Sequence, residues 1–242
     1  MSYVNPKVYA VIPAAGIGRR MGADIPKQYL KLKNKLVIEH TIERLLSINF
    51  IERVVVVIAA HDEVWSTLPV SKEPRVLSAK GGKERCHSVL NGLQTLVGEP
   101  TRASGDSWVL VHDAARPCVR SKDIIAMVNQ LRVHAVGGIL AAPVRDTLKK
   151  ASHDNSISST VDRTALWHAF TPQMFRVKTL SDALGTAIAS ENLVTDEAQA
   201  IERCGLVPQL IEGHSDNLKI TQPEDLILAG LYLESQKATG DC

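Results

Sequence analysis

Aromatic residues are scarce in this chain. Only 4% of its 242 residues are Phe, Trp or Tyr, too few to suggest stacking platforms for single-stranded nucleic acid. A charge bias is missing too: the net charge is +2 at pH 7, so bulk electrostatics argue for neither nucleic acid nor a membrane surface as partner. The four cysteines, Cys86, Cys118, Cys204 and Cys242, are scattered, with no pair at zinc-ligand or redox-motif spacing, and are expected as reduced thiols. No apolar stretch reaches membrane-spanning length, and at the N-terminus the apolar run precedes the arginines instead of following basic residues. A cytoplasmic protein is expected. The eight histidines include no His-x-x-x-His pair. No Gly-Lys-Ser or Gly-Lys-Thr occurs, which excludes a phosphate-cradling P-loop. No serine–histidine–acid arrangement can be inferred from spacing.

What is present is ordinary for a folded chain, 45% hydrophobic and 22% charged, in an order that is not ordinary. An apolar run, Val8 to Ile12, breaks into Pro13-Ala14-Ala15-Gly16-Ile17-Gly18-Arg19-Arg20-Met21, with Pro26-Lys27-Gln28 just after. The run predicts a buried parallel strand. The small residues let backbone approach a ligand, and free N–H groups beside Arg20 and Lys27 make a site for a polyphosphate. A dinucleotide fingerprint does not fit. The third glycine is Gly22, one residue late, and the next apolar run, Val54 to Ala60, leads into His61 rather than an acid. A nucleotidyltransferase signature, Gly-x-Gly-x-Arg followed by Pro-Lys, fits residue by residue. A plain strand-to-loop turn would explain the glycines but not Arg19, Arg20 and Lys27 converging on one loop.

Further along, strand-like runs (54–60, 75–78, 107–111, 138–142) alternate with helical periods (37–47, 84–96, 122–131). This predicts an α/β fold: a Rossmann-like, mainly parallel sheet with helices on both faces, whose ligands bind beyond the carboxyl ends of the strands. The pattern then changes. Two polar, extended segments flank the turn-rich Ser152-His153-Asp154-Asn155-Ser156. They read as a protruding β-hairpin arm over about 145–163 with no core of its own. Such a ribbon is marginal alone and needs a surface, most simply a second copy of the protein; the alternative is a disordered loop. Helical patterns resume at 178–189 and 195–203, a strand is expected at 207–211, and Thr221 is the N-cap candidate of a last helix running to about Glu234. One domain spans 1–242.

Three stretches carry chemistry besides the first loop. Val109 to Pro117 ends a strand in His112-Asp113, with Arg116 following. An Asp there, opposite a phosphate loop, suits magnesium, or else caps the next turn. Gly81-Gly82-Lys83-Glu84-Arg85 with Ser88 either offers backbone groups to a base edge or is only a flexible helix entry. Asp216-Asn217-Leu218-Lys219 puts an acid and a lysine before the last helix, where Lys219 alone would read as a solvated charge. The missing strong base is compatible with a phosphate nucleophile, whose second pKa is about 6. Catalysis can then rest on positioning and on cations.

These stretches, with Ala142-Pro143-Val144-Arg145-Asp146-Thr147, Thr171-Pro172-Gln173 and Thr195-Asp196-Glu197-Ala198, closely resemble the 2-C-methyl-D-erythritol 4-phosphate cytidylyltransferases of the non-mevalonate isoprenoid pathway, from about Val8 to Tyr232. The resemblance implies a homodimer that transfers CMP from CTP to a polyol phosphate with Mg2+. It implies that Ala14, Ala15, Gly16 and Gly18 line the CTP site and that Gly82 and Ser88 meet the cytosine. Arg20, Lys27 and Lys219 would be catalytic at the triphosphate. Asp113, Arg116, Thr147, Arg163, Thr171 and Thr195 would surround methylerythritol phosphate, with Thr147 and Arg163 supplied by the partner's arm. Asp113 and Asp216 are the metal-ligand candidates. Cys86-His87 departs from the family pattern. A cytidylyltransferase for another polyol phosphate, such as ribitol 5-phosphate, would share the CTP loop.

Overall fold

The computed structural model describes residues 7–16, 25–98 and 100–241. Gly18, Arg19 and Arg20 lie outside the described residues. In chain order the strands are β1 (Val8–Pro13), β2 (Lys31–Leu32), β3 (Lys35–Leu36), β4 (Ile51–Ile58), β5 (Val76–Lys80), β6 (Trp108–Val111), β7 (Gly137–Pro143), β8 (Leu148–Ala151), β9 (Ile157–Val161), β10 (Trp167–Arg176) and β11 (Gln209–Glu212). The helices are α1 (Val37–Leu46), α2 (Arg85–Val97), α3 (Ser121–Leu131), α4 (Val177–Ala189), α5 (Glu197–Arg203) and α6 (Pro223–Ala238).

Seven strands form one sheet in the order β11-β7-β10-β6-β1-β4-β5. Every neighbour pair is parallel except the two that involve β10. The side chains of β1 show how the layers arise. Val8, Ala10 and Ile12 face one apolar cluster with Ile38, Ile42 and Leu45 of α1 and Ile124 and Met127 of α3. Tyr9 and Val11 face the other, with Val89, Leu93 and Leu96 of α2 and Leu180 and Leu184 of α4. A strand's period of two meets apolar helix stripes on both sides, so both sheet faces are covered. α2 packs tightly on the sheet at Gly92, where an added Cβ would stand 2.6 Å from Cγ1 of Val11 and 2.9 Å from Cγ2 of Val57.

The expected mainly parallel sheet is therefore found, with boundaries shifted by a few residues. β10 was not anticipated. Its centre carries Pro172, which has no N–H for a ladder and argues against a central strand. The structure resolves the conflict with an irregularity: the register with β7 shifts between Ala169 and Gln173, so the proline sits where pairing is broken. The last helix also differs. Its N-cap is Gln222, and it runs on to Ala238. Thr221 instead donates both its N–H and its hydroxyl to Asp225 Oδ2, at 2.7 and 3.0 Å.

The hairpin arm is present as an antiparallel ribbon of β8 and β9, separate from the main sheet. Most of it is exposed, including Ile157. No described helix is long and apolar enough to cross a membrane.

Candidate active site

The strand order places β1 between β6 and β4, and the chain leaving the carboxyl ends of β1, β5 and β6 meets over a cleft of about 310 Å3. One wall is the backbone of Pro13 to Gly16. Gln28, which is buried, ties that wall down: its Nε2 donates to the carbonyl of Ala14 at 2.6 Å and of Gly16 at 3.3 Å. Gln28 stands in the first motif, yet it had no expected role. Its signal was a polar side chain in a stretch too small-residued to satisfy it locally. Lys27 lines the cleft from a turn of 3-10 helix, Lys27–Tyr29, and its Nζ donates to the Ile220 carbonyl at 3.0 Å.

Gly82 to Glu84, between β5 and α2, and Arg85 and Ser88 on the first turns of α2 form a second wall. Ser88 Oγ donates to the Glu84 carbonyl (3.2 Å) and accepts the Gly82 N–H (3.1 Å). The hydroxyl thus shapes the loop. A Cβ on Gly82 would come within 2.3 Å of His87 Cβ, so this close turn requires glycine. Cys86 is buried in the core under α2, and neither Cys86 nor His87 lines the cleft. The departure at these two positions stays behind the wall.

The third side carries the charge. Asp113 is buried at the end of β6. Its Oδ1 accepts from Arg85 Nε (3.3 Å) and Nη2 (3.1 Å), and its Oδ2 lies 2.7 Å from Lys219 Nζ and 3.8 Å from Arg116 Nε. Burial alone would raise the carboxyl pKa; Arg85, Lys219 and Arg116 outweigh it and hold Asp113 well below the usual carboxylate range. Its backbone is set from below. The Asp113 N–H donates to Thr171 Oγ1 at 3.0 Å, and Thr171 Oγ1 lies 3.0 Å from His112 Nδ1. The other ring nitrogen, Nε2, faces the Arg116 carbonyl at 3.1 Å. Burial pushes the His112 pKa down to about 4. A neutral ring that donates from Nε2 must accept at Nδ1, so the Thr171 hydroxyl donates there. Thr171 accordingly positions Asp113 from a buried site and does not line the cleft.

Lys219 also lines an adjoining cleft of about 500 Å3, with Arg116, Arg145, His168 and Phe170. Arg116 is buried, donates from Nη1 to the Asn217 carbonyl at 2.6 Å, and stands 5.1 Å over the Phe170 ring. Burial lowers its pKa. Thr147 and Arg163 meet at the root of the ribbon, 3.4 Å apart and exposed, and line neither cleft. Thr195 is exposed just before α5, its N–H bound to Gln199 Oε1 at 2.8 Å, and lines neither cleft.

Asp216, the second metal-ligand candidate, is placed away from the cleft. Its Oδ2 accepts from Arg120 Nε (2.9 Å) and Nη2 (2.7 Å) and from Gln236 Nε2 (3.0 Å), and it does not line the cleft. It anchors the loop that carries Lys219. Among the described residues no cluster of three His, Cys, Asp or Glu could hold a metal by itself.

The chain matches known proteins along nearly its whole length. A family model described as 2-C-methyl-D-erythritol 4-phosphate cytidylyltransferase covers residues 8–235. Proteins of that name from Vibrio vulnificus and Photobacterium profundum are each 52% identical, over 94% of this chain and 95% of the first, and over 96% of this chain and 98% of the second. A crystal structure of a 4-diphosphocytidyl-2C-methyl-D-erythritol synthase superposes with a TM-score of 0.82 at 39% identity, covering 95% of this chain and 99% of that one. The Francisella tularensis cytidylyltransferase gives 0.80 at 35%, over 93% and 99%. The chain belongs to the 2-C-methyl-D-erythritol 4-phosphate cytidylyltransferase family.

Proposed function

We infer that the protein transfers CMP from CTP to the 4-phosphate of 2-C-methyl-D-erythritol 4-phosphate, yielding 4-diphosphocytidyl-2-C-methyl-D-erythritol and pyrophosphate. The observation that carries this reading is Lys219. It lines both the cleft under the Ala14–Gly16 loop and the adjoining cleft that holds Arg116. A cation on the boundary between two anion sites suits phosphoryl-type transfer between them.

CTP lies with its triphosphate along Ala14, Ala15 and Gly16 and its base against the Gly82–Ser88 wall. Gly18 and Arg20 belong to the same loop motif. The acceptor phosphate lies against Arg116. One of its oxygens attacks the α-phosphorus, forming the new P–O bond, and the bond from that phosphorus to the β-phosphate's bridging oxygen breaks. The leaving pyrophosphate takes the electron pair. Lys27, Lys219 and Arg20 stabilise the extra negative charge of the transition state, and no general base is needed because the nucleophile is already an anion. Asp113 accepts a hydroxyl of the polyol. Mg2+ supplies further charge neutralisation on the phosphates when bound. Among the described residues, Asp113 on the charged side would offer it a carboxylate, which suits an ion held mainly by substrate oxygens. The exposed ribbon supports a homodimer in which Thr147 and Arg163 reach the partner's acceptor. Free Cys86, Cys118 and Cys204 support a cytoplasmic location.

Pyrophosphate release should be measured with CTP and each of several polyol phosphates. Release with methylerythritol phosphate and not with ribitol 5-phosphate is the expected result. The reverse preference would replace the acceptor, and no release with any acceptor would overturn the reading.

A further inference from the structure

Arg85 is a cation that lines the nucleotide cleft, yet its hydrogen bonds point away from a phosphate role. A guanidinium has five N–H donors. Here Nη1 donates to Glu197 Oε1 at 2.5 Å and Nη2 to Glu197 Oε2 at 3.1 Å. On its other edge, Nε and Nη2 donate to Asp113 Oδ1. Two carboxylates therefore compensate one guanidinium. Burial opposes its charge, but Glu197 and Asp113 overcome that and raise its pKa. Such a group is held, not available.

Glu197 is fully buried at the head of α5, in a stretch where only Thr195 had an expected role. A favourable helix dipole would account for an acid there, but not for a bidentate pair directed at α2. The turn around it is fastened to the sheet. Asp196 caps α5 by accepting the Gln199 N–H at 2.9 Å and accepts from Gln173 Nε2 at 3.0 Å, while Gln173 Oε1 accepts the Ala198 N–H at 2.8 Å. Gln173 belongs to β10, two residues beyond Thr171, which sets the Asp113 backbone. The same strand thus fixes Asp113 and the acid that aims Arg85.

We propose that Glu197 and Arg85 are positioning residues for the transfer reaction. Glu197 aims the Arg85 fork, the fork pins Oδ1 of Asp113, and Oδ2 is left facing Lys219 and the acceptor. Without the fork, the Asp113 carboxylate can rotate and chelate Lys219 with both oxygens, tying up a cation that the α-phosphate requires. Without the Glu197 charge, Arg85 turns an uncompensated cation into the cleft. This inference rests on the roles assigned above to Asp113 and Lys219.

The test is a double-mutant cycle of Glu197→Gln and Arg85→Lys, with initial rates measured separately against CTP and against the acceptor. Glu197→Gln should lower kcat/KM for the acceptor by about 10- to 100-fold, the scale of an ångström-sized misplacement, while the KM for CTP stays within about threefold. Because Glu197 acts through Arg85, the double variant should lose much less than the product of the two single losses. Losses that multiply, a loss that appears mainly as a raised KM for CTP, or an unaltered acceptor kcat/KM would each overturn the proposal. Should Glu197→Gln not fold, Glu197→Asp, which keeps the charge but shortens its reach, takes its place with the same expectations. An inactive wild-type protein would overturn the functional reading itself, a result distinct from any of these.

Discussion

Lys27 enters the cleft from a single 3-10 turn and donates to the Ile220 carbonyl, so its ammonium is located before substrate arrives. A cation acting on charge that grows at the α-phosphorus affects the rate more than the binding. Lys27→Ala should lower kcat by ~10²–10³ with a much smaller change in CTP affinity. A variant that keeps its turnover and changes only KM would remove the assigned role. His112 makes a different prediction. Its folded pKa is about 4 against an ordinary 6.5, so between these values the unfolded chain binds a proton that the native ring refuses. Stability present above pH 6.5 is therefore lost as the pH falls toward 4, by up to about 3 kcal/mol. Asp113 is shifted down as well, and its contribution is lost only in stronger acid, so the two windows separate. Urea midpoints at pH 7 and 4.5 should fall less for His112→Gln than for the wild type. Equal slopes would show that the buried ring does not titrate in this way.

Among the elements, α2 and α4 each contain one glycine in opposite circumstances. At Gly92 an added Cβ would strike buried Val11 and Val57; at Gly185 nothing lies within 4 Å. Helix propensity favours alanine over glycine by about 1 kcal/mol, whereas overpacking costs about 1–3 kcal/mol. Gly92→Ala should therefore lower the Tm and Gly185→Ala should raise it. A higher Tm for Gly92→Ala would mean that α2 can lift off the sheet at little cost, which would question the tight placement of Arg85 and Ser88 on the same helix. The strand-and-helix alternation was legible because apolar runs and helical stripes are local patterns. β10 was not, because its identity as a strand depends on β6 and β7 flanking it and on a break in register at Pro172.

The whole molecule poses the question of the ribbon. β8 and β9 leave the main sheet and stay largely exposed, with Arg163 and Thr147 at their root. A two-stranded ribbon without a packing surface is marginal, and a second copy would supply one. In such a dimer each site combines one chain's Lys27 with the other chain's Arg163. Mixing inactive Lys27→Ala and Arg163→Ala proteins under conditions of subunit exchange should then restore activity, since one site of the mixed dimer is intact. No recovery, with exchange verified by mass, would place both residues of each site on one chain.

By itself the sequence determined the layered α/β architecture, the ribbon's position, and the loops on which Ala14–Gly16, Lys27, Asp113 and Lys219 stand, since each is written in contiguous residues. Only the tertiary structure decided how these groups divide the work. Asp113 is held by three cations drawn from α2, its own loop and the chain near α6. Thr171 serves His112 and Asp113 from beneath, and Asp216 belongs to Arg120. A residue's type and spacing state what chemistry it can perform. Which partner it meets depends on elements brought together from more than a hundred residues apart, as with Arg85 on α2 and Glu197 on α5, and no local pattern encodes that meeting.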